Sequence, residues 1–180
     1  MRTISFALVF LLAVSVNSSA AVADSNALSR EPLSAQTLDA IGSGFRQLME
    51  RANRHDINGI HEMFWQSPSA LLVAKSAIPS EGSWAAFWGN RAIDQKLHDI
   101  AASGPVSLDP DFSKLRVVGL TRDVAESYAP LNITVSYAGQ DGTPKPFLII
   151  ITWKKIGNKW KIASEVILPV PPAAAPAGKS

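Results

Sequence analysis

Proton transfer on a carbonyl compound needs a carboxylate base facing an oxyanion donor. The chain offers Asp94, Asp99 and Asp123 for the first role and Tyr128 or Tyr137 for the second. Asp94 adjoins Ile93 but falls off the stripe Ile93, Leu97, Ile100, so a solvated helix face accounts for it. Asp123 follows Arg122 in a turn, where Asp is favoured for its own backbone hydrogen bonds. The histidines are His55, His61 and His98, with no two at the three- or four-residue spacing of a helical metal site, and cysteine is absent. No metal and no cofactor is therefore expected. His61, one residue past Ile60, either borders a pocket or caps a helix, and His98 reads as surface. Phe64, Trp65, Trp84, Phe87 and Trp88 crowd five large rings into 25 positions. Such rings can wall a small-molecule pocket, or fill a core or a dimer interface.

These side chains need elements to hold them. Leu38, Ile41, Phe45, Leu48 and Ala52 recur at helical spacing, predicting a helix from about 36 to 54. Asp56 is placed to cap a second, short helix through Ile57, Ile60 and Phe64, which Pro68 stops. Leu71-Leu72-Val73 reads as a strand and Pro79 to Gly82 as a turn. A third helix is expected from Trp84 or Gly89 to about Ala102, ending at Gly104-Pro105. If it starts at Trp84, then Trp84 and Trp88 stack on one face.

The period then changes to two. Leu115 to Leu120, Ala125 to Tyr137, Phe147 to Lys155 and Trp160 to Leu168 are β-branched and aromatic runs, with Asp141-Gly142 and Gly157-Asn158 as hairpin turns. In the last strand, regular alternation puts Trp160, Ile162, Ser164 and Val166 on one face and Glu165 on the other. With Ile162 inward, Ser164 lines the cavity and Glu165 does not. Helices followed by an antiparallel meander make an α+β domain.

Three segments carry a family resemblance: Arg54 to Ile60 after a helix, Gly89 to Ile93 opening another, and the hairpin Thr152 to Ile162. Together they resemble the nuclear transport factor 2-like superfamily, in its SnoaL-like branch, over roughly residues 36 to 168. The resemblance implies a curved antiparallel sheet wrapped around N-terminal helices, a cystatin-like cone with a pocket at its open end, commonly in a homodimer. It implies either a non-catalytic binding domain, a ketosteroid isomerase-like or polyketide cyclase-like isomerase or dehydratase, or an assembly domain. Relatives often carry His where Ser164 or Val166 stands, so an obvious acid/base group is missing. The expected pocket residues are Trp65, Trp84, Trp88, Tyr128, Ser164 and His61, facing a small hydrophobic ligand.

The ends and the charge set the setting. Arg2, the apolar run Ile4 to Val16 and the small residues Ala21-Val22-Ala23 make residues 1–23 a cleavable signal peptide, so a periplasmic or secreted protein is expected. The apolar run is too short to span a bilayer, and no membrane partner is expected once it is removed. Residues 24–35 read as a loose lead, 36–168 as the domain and 169–180 as a disordered Pro/Ala-rich tail. Past residue 23 the chain keeps 16 Lys plus Arg against 15 Asp plus Glu, a net charge of +1 that gives nucleic acid no electrostatic footing.

Overall fold

A computed structural model describes residues 32–75, 84–135 and 142–170. The expected signal peptide, most of the lead, the Pro79 turn, Tyr137 and the chain from 171 onward lie outside the described residues.

Helix α1 (Ala35–Asn53) starts where the Ser34 hydroxyl accepts the Thr37 N–H at 3.2 Å. It buries the stripe Ile41, Phe45, Leu48 and Met49. The helix closes in a left-handed cap: His55 takes φ +53°, its N–H bonds to the Ala52 carbonyl, and the Asp56 N–H bonds to the Arg51 carbonyl, both at 3.0 Å. That reversal delivers Asp56 to cap α2 (Ile57–Met63), its carboxylate accepting the Gly59 N–H at 3.0 Å. Arg51 pairs with Asp56 at 2.9 Å and lies across Gly59. A Cβ at that glycine would stand 1.6 Å from the guanidinium, so only glycine leaves the pair its seat.

Helix α3 runs from Asn90 to Ser103 between Gly89 at φ +79° and Gly104 at φ +137°. It begins later than its earliest expected start. Trp84–Trp88 is strand β2, hydrogen-bonded to β1 (Leu71–Lys75) with Leu71 opposite Trp88. The Gly89 N–H bonds to the Ala70 carbonyl at 2.8 Å, which keeps the chain in the sheet until helix begins. The remaining strands are β3 (Val106–Pro110), β4 (Arg116–Gly119), β5 (Val124–Val135), β6 (Lys145–Ile156) and β7 (Lys159–Pro169).

The sheet order is β2-β1-β7-β6-β5-β3, with β4 also on β5. All pairs are antiparallel except β1 with β7, so the sheet is mixed at that one joint. A flat sheet would hold β2 and β3 about 24 Å apart, five strand spacings. Phe87 of β2 and Leu108 of β3 nevertheless line one cavity of about 450 Å³, so the sheet curls around the helices. The Asn53 side-chain amide donates to the Leu108 carbonyl at 2.8 Å and accepts its N–H at 2.7 Å, fastening the end of α1 to the β3 edge.

The β6–β7 hairpin turns at Gly157-Asn158, where only Gly157 takes positive φ, +61°, the pattern of a type II′ turn. Further along, Trp153 pairs with Ile162 but Thr152 pairs with Ser164, leaving Ala163 as one extra residue on β7. This β-bulge resets the alternation of everything after it.

Candidate functional site

The cavity lies between the helices and the concave face of the sheet. Its walls are mostly aliphatic and aromatic, with Leu48, Ile60, Leu72, Phe87, Ile133 and Phe147 contributed by six different elements. Two polar groups break that surface from within. Among the described residues only two ionisable side chains are buried, Glu165 (7% exposed) and Lys96 (8%), and both line this cavity.

Glu165 faces inward because of the bulge at Ala163. Its strand neighbours are Leu72 on β1 and Ile151 on β6, both buried, so its carboxyl stands in apolar surroundings. No hydrogen bond or ion pair reaches it among the described residues. Burial alone raises its pKa from 4.5 to about 7, because the charged form loses hydration that nothing replaces. Near neutrality the group therefore exists both as an acid that can donate and as a base that can accept.

Lys96 reaches the same space from α3. It stands three residues after Ile93, on that helix's inner stripe, and its ammonium lies 5.1 Å from the centroid of the Phe87 ring. Around the mouth stand His55, Asp99 and Lys145, all exposed. Trp84 completes the wall with its ring 6.0 Å from that of Phe147.

Of the residues anticipated from sequence, Trp84 is the one that lines the cavity. Ser164 faces outward, since the bulge turns it away as it turns Glu165 in. Tyr128 is on the outer face of β5, between Arg116 and Ile150, because the inward positions there belong to buried Ser127 and Ala129. Trp88, at the edge of the sheet, is 59% exposed. Trp65 follows α2, its N–H bonded to the Ile162 carbonyl at 2.8 Å and its ring beneath the Lys154 ammonium at 5.2 Å. His61 turns toward α3, with Nδ1 3.4 Å from the Asp94 carboxylate, which also lies 3.6 Å from His98. Among the described residues no group of three His, Asp or Glu side chains gathers as metal ligands.

Lys96 was legible in the sequence, since i+3 from Ile93 places it on the helical stripe. Glu165 was hidden by a bulge that depends on the partner strand.

No protein-family profile matches the chain and no curated protein matches it. Solved structures do. A scytalone dehydratase-like protein from Novosphingobium aromaticivorans aligns at 12% identity and TM-score 0.60, over 81% of this chain and 95% of its own. A nuclear transport factor 2-like family protein from Streptomyces avermitilis aligns at 14% and 0.61, over 75% and 98%. A ketosteroid isomerase-like protein from Erwinia carotovora atroseptica aligns at 15% and 0.59, over 77% and 100%. At such identities the likeness shows the fold alone, an α+β fold like that of nuclear transport factor 2-like proteins with a cystatin-like fold.

Proposed function

We propose that this chain binds a small, largely apolar organic molecule in the cavity between its helices and sheet. The supporting observation is the cavity itself: about 450 Å³ of space with apolar walls and two buried ionisable groups. Pockets for small ligands combine apolar walls with a few polar groups in this way. Titration with the neutral fluorophore N-phenyl-1-naphthylamine tests it. Saturable fluorescence enhancement is expected, and it should fall at least ten-fold in Ile133→Trp, which fills the cavity. Absence of saturable binding to the parent chain sinks the reading.

A second reading, proton transfer on a carbonyl compound, is favoured by the Glu165 carboxyl titrating near neutrality in an apolar wall. The scytalone dehydratase-like and ketosteroid isomerase-like neighbours lend it a precedent of fold alone. Tyr128 lies outside the cavity, and Lys96 is the buried cationic side chain that lines it among the described residues. Deuterium exchange alpha to the carbonyl of a cyclic enone, lost in Glu165→Gln, is the expected signature.

The chain is exported and paired in this account. Export rests on the amino-terminal pattern, and mass spectrometry of the secreted or periplasmic protein should give Asp24 as first residue. Pairing is supported by the outer face of the sheet, where Val73, Val166 and Ile150 stand side by side in register and Trp88 and Leu71 extend the apolar area.

A further inference from the structure

We infer that the cavity takes a neutral molecule with an amide edge, a lactam or a primary carboxamide, whose adjacent N–H and C=O pair with the Glu165 carboxyl while its apolar body lies against the walls. The inference rests on the small-molecule reading above and adds the chemical class of the occupant.

Its basis is a carboxyl whose hydrogen-bonding groups stand unused in an apolar wall. Glu165 is 7% exposed, lines the cavity between Leu72 and Ile151, and meets no hydrogen-bond or ion-pair partner among the described residues. Ile167, the next inward position of β7, is apolar as well. A buried carboxyl without a partner is held in its neutral form, because ionising it there costs more than keeping the proton. The neutral acid carries an O–H donor and a C=O acceptor side by side on one carbon. A ketone or an ether satisfies the donor alone. An amide whose N–H and C=O point the same way satisfies both groups, in a closed ring of two hydrogen bonds. The extended amide of a peptide points them in opposite directions and cannot do so. Since a polar group left unpaired in an apolar wall is costly, the occupant that pairs both is favoured.

The other ionisable side chains of the lining are His55 from the turn after α1, Lys96 and Asp99 from α3, and Lys145 from β6. His55, Asp99 and Lys145 are exposed at the mouth, and the Lys96 ammonium lies 5.1 Å from the Phe87 ring. Burial is what raises the Glu165 pKa, with no neighbouring charge contributing. A neutral ligand leaves the charges of the lining as it finds them. Its affinity follows the proton on Glu165: once the acid ionises, the O–H donor is gone and a carboxylate oxygen faces the ligand's carbonyl oxygen. Amide binding should therefore weaken as pH rises through about 7.

Size selects the probe. At the ~30 Å³ that a water molecule occupies in the liquid, the cavity of about 450 Å³ holds roughly 15 non-hydrogen atoms. A bicyclic lactam falls within that count. Calorimetric titration of the full chain with 2-quinolinone and with N-methyl-2-quinolinone, which lacks the N–H, decides the matter when run at pH 6 and pH 8. At pH 6 the lactam should bind about ten-fold more tightly than its N-methyl derivative. That preference should vanish in Glu165→Leu and survive in Glu165→Gln, whose carboxamide offers the same donor and acceptor, with the fold of both variants checked by circular dichroism. Raising the pH to 8 should weaken the lactam several-fold in the parent chain and leave it unaltered in Glu165→Gln. A preference that persists in Glu165→Leu overturns the inference, as does lactam affinity in the parent chain that does not fall with pH. Equal binding of the two probes, or binding of neither while N-phenyl-1-naphthylamine still binds, removes the amide class and leaves the small-molecule reading standing. Failure of all three to bind removes both.

Discussion

Holding the Glu165 carboxyl away from water raises its proton affinity, and thermodynamic linkage turns that into a dependence of stability on pH. The folded pKa of about 7 exceeds the ordinary 4.5, so the folded chain holds a proton that the unfolded chain releases between those values. The stability this supports is fully present below about pH 4.5 and is lost as pH rises through 7, by about 3 kcal/mol in all. Glu165→Gln should abolish this part of the slope when urea unfolding is followed from pH 5 to pH 8. A parallel slope in both proteins would show a solvated carboxyl. Lys96 is the other ionisable side chain buried in the cavity among the described residues. The two residues differ in how readable they were. Helical period alone puts Lys96 beside Ile93, while Glu165 faces inward only through a bulge registered against Thr152 and Trp153, ten and more positions away.

At the scale of elements, the bulge makes a sharp prediction. Removing Ala163 restores regular pairing between Ile162 and Glu165 and keeps both inward, so the Glu165 titration midpoint should stay near 7 in the deletion variant. A drop to the ordinary carboxylate range would mean that β7 alternates without a bulge. The tie between α1 and the sheet edge is a second case. Asn53→Ala loses both bonds to Leu108 and should cost about 1–2 kcal/mol in chemical unfolding. The long elements were legible because their patterns repeat over many residues: α1 runs for 19 residues with one buried stripe, and β5 and β6 are 12 residues each, whereas the alternation of β7 is broken at its bulge. The five-residue strands were not. In β2 the spacing of Trp84 and Trp88 fits a helix as well as a strand, and the backbone bond from Gly89 to Ala70 decides it. In β3, Asp109 and Pro110 hide an edge strand that owes its place to β5.

For the whole molecule, the switch from helical to alternating period foretold an α+β domain, and the curl of the sheet follows from both its ends reaching one cavity. The parallel joint of β1 to β7 was not foretold, because pairing between strands so distant in sequence leaves no local mark. Pairing of two chains through the outer sheet face is testable by light scattering. The parent chain should have twice the monomer mass, and Val166→Lys, at the middle of the apolar rows, should halve it with the fold retained by circular dichroism. A parent chain that stays monomeric at high concentration would leave that face to solvent.

The account turns on an ionisable carboxyl standing in an apolar cavity, and carbon-detected NMR of side-chain carboxyls reads it directly. Glu165 should titrate with a midpoint near 7. A midpoint near 4.5 would place the carboxyl in water and contradict the site.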